Sequence, residues 1–154
     1  MLFVLTAGLT AVLDQATKAA VRVVSPELGP IGTLIPGLID LVHVENTGAA
    51  FSIGMGAGVL FVLMALLVTG LAFTYVLTQE VPLSLTIPLA CVVGGGLGNM
   101  FDRLMTGSVT DFLSFAFIDF PVFNVADIAV TCGVAASIVC YILWQNSLPP
   151  EVRS

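Results

Sequence analysis

Three long apolar stretches without a charged residue constrain the fold of this chain more than any other feature of the sequence. They cover 59–77, 83–101 and 128–144. Each is close to the roughly 20 residues that a helix needs to cross about 30 Å of hydrocarbon. Charged residues make up 9% of the chain, whereas soluble domains contain about 25%. The sequence therefore predicts an integral membrane protein.

A fourth apolar stretch, over 1–24, completes the predicted architecture. Charges enter only its second half, no basic segment precedes its apolar run, and no small-residue cleavage site follows it. A secretory signal peptide has both of these features, so we expect a helix of the mature protein. The predicted fold is an all-α integral membrane protein in a single domain, 1–154, with four transmembrane helices at about 1–24, 57–77, 83–103 and 125–145.

The two long connections, 25–56 and 104–124, are expected to lie on one side of the membrane and to carry function. The segment 38–46 (LIDLVHVEN) places Val42 and Val44 opposite His43 and Glu45. This alternation predicts a short strand between helices 1 and 2, with His43 at its surface. The second connection contains a phenylalanine-rich segment, 112–123, whose composition suits the membrane interface. Its phenylalanines are Phe112, Phe115, Phe117, Phe120 and Phe123.

The composition also excludes several classes of function. Ten acidic and four basic residues give a net charge of −6, which removes the positive surface that nucleic-acid binding requires. One histidine, and three cysteines within apolar runs, provide neither a zinc motif nor a disulfide pattern. The glycine runs 54–58 and 94–98 lack a phosphate-binding lysine and are interpreted as helix-packing positions. We therefore predict no nucleic-acid partner and no zinc site.

Polar residues in or beside membrane helices are costly, so their positions are informative. Asp14, Lys18 and Arg22 recur every four residues and share one face of helix 1. Consecutive helices run in opposite directions, so the end of helix 1, the start of 2, the end of 3 and the start of 4 meet at one membrane face. The other polar residues near that face are Asn46, Asn99, Asp102, Arg103, Asp111, Asn124 and Asp127.

Several of these residues also have a purely structural interpretation. A helix cap and ordinary ion pairs account for three pairs: Asn124 with Asp127, Asp102 with Arg103, and Asp14 with Lys18. Asp111 is different, because no basic residue is near it in the sequence and its surroundings (SVTDFLSF) are apolar. Desolvation there would raise its pKa and suit it to proton transfer.

Five ordered blocks of sequence then indicate a family. They are DQATK (14–18), NTGAAFS (46–52), GNMFDR (98–103), GSVTDF (107–112) and FNVAD (123–127). Together they span nearly the whole chain, which resembles lipoprotein signal peptidase, also called signal peptidase II. This bacterial membrane enzyme removes signal peptides from prolipoproteins. Any one block is a weak signal, whereas five in order are highly specific.

The resemblance implies a multi-pass protein of the bacterial cytoplasmic (inner) membrane, with cytoplasmic termini and an aspartyl active site towards the outer face. Arg153 also favours cytoplasmic termini. The implied catalytic pair is Asp111 and Asp127, without a metal or cofactor. Residues implied to bind substrate or to order the site are Asp14, Lys18, Asn46, Asn99, Asp102, Arg103 and Asn124.

The implied substrate is a prolipoprotein whose cysteine carries a diacylglyceryl group, with cleavage just before that cysteine. Membrane lipid is the other expected partner. Two carboxylates that share a proton can activate water and polarise the scissile carbonyl. We hypothesise that the phenylalanine-rich segment closes over the lipid part of the substrate.

Two other classes of function are weighed against the peptidase. A proton-coupled carrier or channel needs polar groups through the depth of the membrane, and helices 2 and 4 offer nothing ionisable there. A membrane scaffold without enzymatic activity would tolerate asparagine at Asp111 and Asp127. Both alternatives are less favoured than the peptidase.

Overall fold

The computed structural model describes residues 1–48 and 58–149, which form four helices and three strands. The helices are α1 (Leu2–Val24), α2 (Gly58–Thr78), α3 (Leu83–Thr106) and α4 (Val125–Ser147). The strands are β1 (Gly29–Ile35), β2 (Ile39–Asn46) and β3 (Val109–Phe115). The described residues do not include position 57, the glycines at 54 and 56, or Arg153. The topology prediction rests partly on Arg153.

Within the described residues, α2, α3 and α4 are long and apolar enough to cross a membrane. Helix α1 has 23 residues, as many as α4, but its second half carries Asp14, Lys18 and Arg22. These charged residues lower the mean hydropathy of α1, although the helix is as long as α4. A fourth membrane span therefore stays a prediction.

Helix α3 lies at the centre of the helical bundle and packs against each of the other three helices. Small residues permit this close approach, as the glycine run 94–98 predicts. A Cβ on Gly94 would collide with the backbone carbonyl of Ala7 in α1, and one on Gly95 would lie 2.5 Å from the carbonyl oxygen of Ala126 in α4. The two glycines thus let both α1 and α4 pack closely against α3.

The three strands form an antiparallel sheet in the order β1-β2-β3. Strand β2 corresponds to the strand predicted over 38–46, whereas β1 and β3 were not predicted. Strand β3 follows Gly107, whose positive φ of 81° ends α3 and lets the chain reverse tightly. The first four residues of β3 are all buried, so this strand lacks the alternation of apolar and polar residues that would predict it.

The prediction that His43 lies at the surface of its strand is wrong. His43 is only 4% exposed, and its Nδ1 lies 2.6 Å from the carbonyl oxygen of Ser25, just after α1. Its Nε2 lies 3.3 Å from a carboxylate oxygen of Glu45. The residues that follow α1 cover this face of β2, which the alternation within the strand does not reveal.

Candidate active site

A cavity of about 550 Å³ lies between α2, α3 and α4, where the sheet meets the helices. Apolar side chains form most of its wall, including Phe61 and Ala65 from α2 and Ile128 and Val130 from α4. Its polar lining is concentrated at the end near the sheet. The polar residues there are Asn46, Asn99, Arg103, Asp111 and Asp127.

Asp111 lies in β3 and is only 3% exposed. Both of its carboxylate oxygens accept hydrogen bonds from side-chain amides: Oδ2 from Asn46 at 2.9 Å and Oδ1 from Asn124 at 2.6 Å. Burial raises the pKa of Asp111 to about 6, and the nearby charge of Asp127 acts in the same direction, while the two amides oppose it. Asp111 is therefore a buried carboxyl that can gain or lose a proton near neutral pH.

Asp127 lies in the first turn of α4 and takes part in a capping box with Asn124. Its Oδ2 accepts from the Asn124 backbone N–H at 3.1 Å, and its own N–H donates to Asn124 Oδ1 at 3.0 Å. The structural interpretation of this pair is thus correct, but it is not complete. The second carboxylate oxygen of Asp127 accepts from Asn99 at 2.8 Å, and Asp127 lines the cavity.

Asn124 joins the two carboxylates. It is fully buried, its side chain donates to Asp111, and its backbone N–H donates to Asp127. The same side-chain amide also lies within hydrogen-bonding distance of Asn99 Oδ1, at 3.2 Å. Asn124 therefore helps to fix the separation of the two carboxylates at the start of α4.

Behind the cavity lies a buried ionic cluster. Lys18 is fully buried and lies 2.8 Å from Asp14 and 2.9 Å from Asp102, which are 0% and 1% exposed. Its ammonium group also donates to Asn99 Oδ1 at 2.7 Å. Asp14 accepts in addition from the backbone N–H of Ala126 at 2.9 Å. The cluster thus connects α1, α3 and the start of α4, and it orients the amide that contacts Asp127.

Asp102 and Arg103 do not form the ion pair that their adjacency suggests. Among the described residues Asp102 pairs with Lys18 and Arg22, whereas Arg103 points away from it. The Arg103 guanidinium donates to the carbonyl oxygen of Gly48 at 2.8 Å and lies 4.8 Å above the ring of Phe61. It lines the cavity and interacts electrostatically with both cavity carboxylates.

All nine residues predicted for the site thus belong to one connected arrangement. Five of them line the cavity, and Asp14, Lys18, Asp102 and Asn124 support it. The prediction omitted further supporting residues that the fold brings to the same place: Gln15, Arg22, Glu45, Ser108 and Thr110. Arg22 had a signal in its spacing from Lys18, and Gln15 and Thr110 lie within the quoted blocks. Ser108 also lies within one of these blocks, whereas no sequence signal pointed to Glu45.

No group of three or more histidine, cysteine, aspartate or glutamate side chains in the described parts of the chain is arranged to hold a metal ion. The cysteines Cys91, Cys132 and Cys140 are free. The chemistry that this arrangement offers on its own is that of two neighbouring carboxyls, oriented by amides beside a guanidinium.

Comparison with known proteins gives consistent results. The family model described as signal peptidase (SPase) II matches residues 6–143. The lipoprotein signal peptidase of Streptococcus pyogenes serotype M5 (strain Manfredo) is 38% identical over 146 residues, covering 94% of both chains. That of Thermosynechococcus vestitus is 41% identical over 150 residues, covering 94% of this chain and 90% of the relative.

Two solved structures, each described as a bacterial membrane enzyme, share the fold. One has a TM-score of 0.84 at 28% identity and covers 94% of this chain and 89% of its own. The other has a TM-score of 0.81 at 27% identity and covers 91% and 92%. Together with the apolar helices, these relatives indicate a multi-pass bacterial membrane protein. The chain belongs to the signal peptidase II family.

Proposed function

We propose that this protein is an aspartyl endopeptidase that removes the signal peptide from diacylglyceryl-modified prolipoproteins, cutting just before the lipidated cysteine. Membership of the signal peptidase II family supports the removal of signal peptides from prolipoproteins. The observation that carries the aspartyl mechanism is the pair Asp111 and Asp127, which line one cavity and share Asn124 as a hydrogen-bonding neighbour.

In the proposed mechanism Asp111 and Asp127 share one proton, because two neighbouring carboxylates cannot both ionise cheaply. The ionised member takes a proton from water, which attacks the scissile carbonyl carbon. The protonated member donates to the carbonyl oxygen as the tetrahedral intermediate forms. Because the two carboxyls are coupled through the shared proton, the roles belong to the pair rather than to either residue.

Other cavity residues have roles in holding the peptide. Arg103 keeps its guanidinium at the cavity wall through Gly48 and Phe61, where it can donate to substrate carbonyls. Asn46 and Asn99 each orient a catalytic carboxylate through one amide N–H. Such positioning matters because a reacting bond that is misplaced by about 1 Å can cost about a hundredfold in rate.

The shape of the cavity suits a lipid-modified substrate. Its polar end lies at the sheet, and its walls between α2 and α4 are apolar. Helix α2 packs mainly against α3 and has no buried residue, so the side of the cavity between α2 and α4 is not closed by helix packing. The diacylglyceryl chains and the signal helix can thus stay in lipid while the peptide bond reaches Asp111 and Asp127.

For the membrane topology we propose four spans with cytoplasmic termini and the active site towards the outer face. The charges of α1 are compatible with a span, because Asp14 and Lys18 are fully buried and Arg22 pairs with Asp102. A charged residue inside a membrane helix is tolerated when it faces the bundle interior and is paired. Both long connections then lie outside the membrane with the sheet.

The direct test is cleavage of a diacylglyceryl-modified prolipoprotein by the purified protein in detergent, with a metal chelator present. Mass spectrometry should find a new N-terminus at the lipidated cysteine. The same precursor without the lipid is the control and should be cut much more slowly. A correctly folded protein that leaves the lipidated precursor intact would refute the proposed activity.

The activity should depend on pH through Asp111. This carboxyl holds its proton below its pKa of about 6 and loses it above, so the shared-proton state disappears as the pH rises. We expect kcat/KM to fall as the pH rises through about 6. Asn46→Ala removes an amide that stabilises the Asp111 carboxylate, so the fall in kcat/KM should move to higher pH. Asp40→Asn, at the opposite end of β2 from Asn46, should leave the pH at which kcat/KM falls unchanged. If Asn46→Ala also leaves it unchanged, the assignment of this pH dependence to Asp111 is wrong.

The phenylalanine-rich segment should contribute to binding. The Phe115 ring lines the cavity and packs against Phe117 and Phe123, at centroid distances of 5.5 and 5.0 Å, and Phe117 is 58% exposed. The double variant Phe115→Ser/Phe117→Ser is expected to raise KM for the lipidated substrate at least about tenfold, since the burial of even one phenylalanine contributes about 1.5–3 kcal/mol. Phe101→Ser, which removes a half-exposed ring outside the cavity, is the control. Unchanged cleavage at limiting substrate would refute this role.

A further inference from the structure

Thr110, the residue directly before Asp111 in β3, is hydrogen-bonded through its side chain and its backbone. It is fully buried but does not line the cavity. Its hydroxyl accepts from Arg22 Nε at 2.8 Å and donates to Glu45 Oε1 at 3.0 Å. Its N–H donates to Asp102 at 3.4 Å, and its carbonyl oxygen lies 3.5 Å from the Asn124 side-chain amide. Four hydrogen-bonding contacts thus fix Thr110, the residue next to the Asp111 carboxyl.

The two partners of the hydroxyl come from different elements. Arg22 lies in the last turn of α1, and its guanidinium also binds Asp102 at 2.9 Å. Glu45 lies directly opposite Thr110 in the register of β2 and β3. The Thr110 hydroxyl therefore connects α1, β2 and β3 at one point, through one donated and one accepted bond.

Both partners are in turn held in place. The second oxygen of Glu45 accepts from the Ser108 hydroxyl at 2.5 Å, and its first lies 3.3 Å from His43 Nε2. Arg22 is tied to Asp102, which also binds Lys18. A methyl group in place of the hydroxyl would have nearly the same volume, but it would leave the Arg22 donor without this acceptor and remove one donor from Glu45.

We propose that Arg22, Thr110 and Glu45 form a clamp that sets the position of Asp111 relative to Asp127, and that Thr110 is a positioning residue for peptide hydrolysis. This inference rests on the proposed function, because the positioning matters only if Asp111 takes part in the reaction. The clamp acts through the backbone of β3, since Thr110 and Asp111 are consecutive, and through Asn124, which contacts both of them.

The test compares Thr110→Val, which removes the hydroxyl, with Thr110→Ser, which keeps it. Thr110→Val is expected to lower kcat at least about tenfold while KM stays within about twofold, because the change displaces a reacting group and leaves the substrate contacts in place. Thr110→Ser should restore most of kcat. The matched control is Thr86→Val, which removes a buried hydroxyl that bonds only to the backbone at the start of α3.

A second measurement does not depend on cleavage. The titration of Asp111 can be followed by NMR of the carboxyl carbon in protein with 13C-labelled aspartate. A loosened β3 weakens the short Asn124 bond that stabilises the carboxylate, so Thr110→Val should move the Asp111 titration to higher pH. Thr110→Ser and Thr86→Val should not. Arg22→Lys, which replaces the separate Nε and Nη2 donors to Thr110 and Asp102 with one ammonium group, should lower kcat in the parent but add little in the Thr110→Val background.

The outcomes separate the two proposals. If the parent cleaves and Thr110→Val keeps the parental kcat and the parental Asp111 titration, the clamp is refuted, even if the variant melts at a lower temperature. If the parent does not cleave but Thr110→Val still displaces the Asp111 titration while Thr110→Ser does not, the clamp holds Asp111 as described. In that case only the proposed activity is refuted.

Discussion

Asp127→Asn and Asp111→Asn are each expected to lower kcat by about a thousandfold or more, since general acid–base catalysis by a positioned group contributes about 10²–10⁴-fold. An amide keeps the volume of the carboxyl but can neither take a proton from water nor hold the proton that the pair shares. Both side chains line the same cavity, so either replacement removes the shared-proton state. Initial rates of prolipoprotein cleavage at saturating substrate measure the effect.

The control for these variants is Asp40→Asn. The Asp40 carboxylate accepts from the Thr33 hydroxyl at 2.8 Å, near the turn between β1 and β2, and Asp40 does not line the cavity. It should cleave at the parental rate. Because the two proposed catalytic residues would act as a unit, the double variant Asp111→Asn/Asp127→Asn should be barely slower than either single variant. Retention of more than a tenth of the parental kcat in either single variant would place the catalytic pair elsewhere.

The largest effect on stability is expected for Lys18→Met. Removal of the ammonium leaves Asp14 without its buried counter-ion and takes one of two cations from Asp102, although neither carboxylate can reach water. Breaking a buried ion pair from one side destabilises a protein by about 3–5 kcal/mol. Thermal unfolding of the purified protein in detergent should therefore occur at a clearly lower temperature than in the parent.

Two further variants show whether the buried charge is the cause. Glu80→Gln changes an exposed charge between α2 and α3 and should leave the unfolding temperature unchanged. Lys18→Met/Asp14→Asn removes one carboxylate together with the cation and should recover part of the loss. An unaltered unfolding temperature in Lys18→Met would mean that water reaches the cluster and screens it.

Much of the fold could be predicted from local features of the sequence. The spans α2, α3 and α4 follow from hydropathy, because the thickness of a bilayer sets the length of an apolar helix. Strand β2 follows from its alternation, and the packing role of Gly94 and Gly95 follows from the glycine run 94–98. Strand β3 could not be predicted in this way, because it is buried on both faces where it begins.

The residues of the candidate site could also be named in advance, but not all of their contacts. Antiparallel helices bring the polar ends of α1, α3 and α4 to one face, so the nine predicted residues are found together. Asp102 pairs with Lys18 and Arg22 rather than with the adjacent Arg103. His43 is buried rather than exposed. Hydrogen bonds such as Arg22 to Thr110 join residues 88 positions apart, and no local pattern specifies them.

The sequence by itself determined that this is a bacterial membrane protein of the signal peptidase II family, because apolar length and ordered motifs are local properties of a chain. Only the tertiary structure decided which charges neutralise one another, which amides oppose the desolvation of Asp111, and that Thr110 connects α1 and β2 beside Asp111. The physical reason is that ion pairing, desolvation and long-range hydrogen bonding depend on distances in space, which arise only when the helices and the sheet pack together.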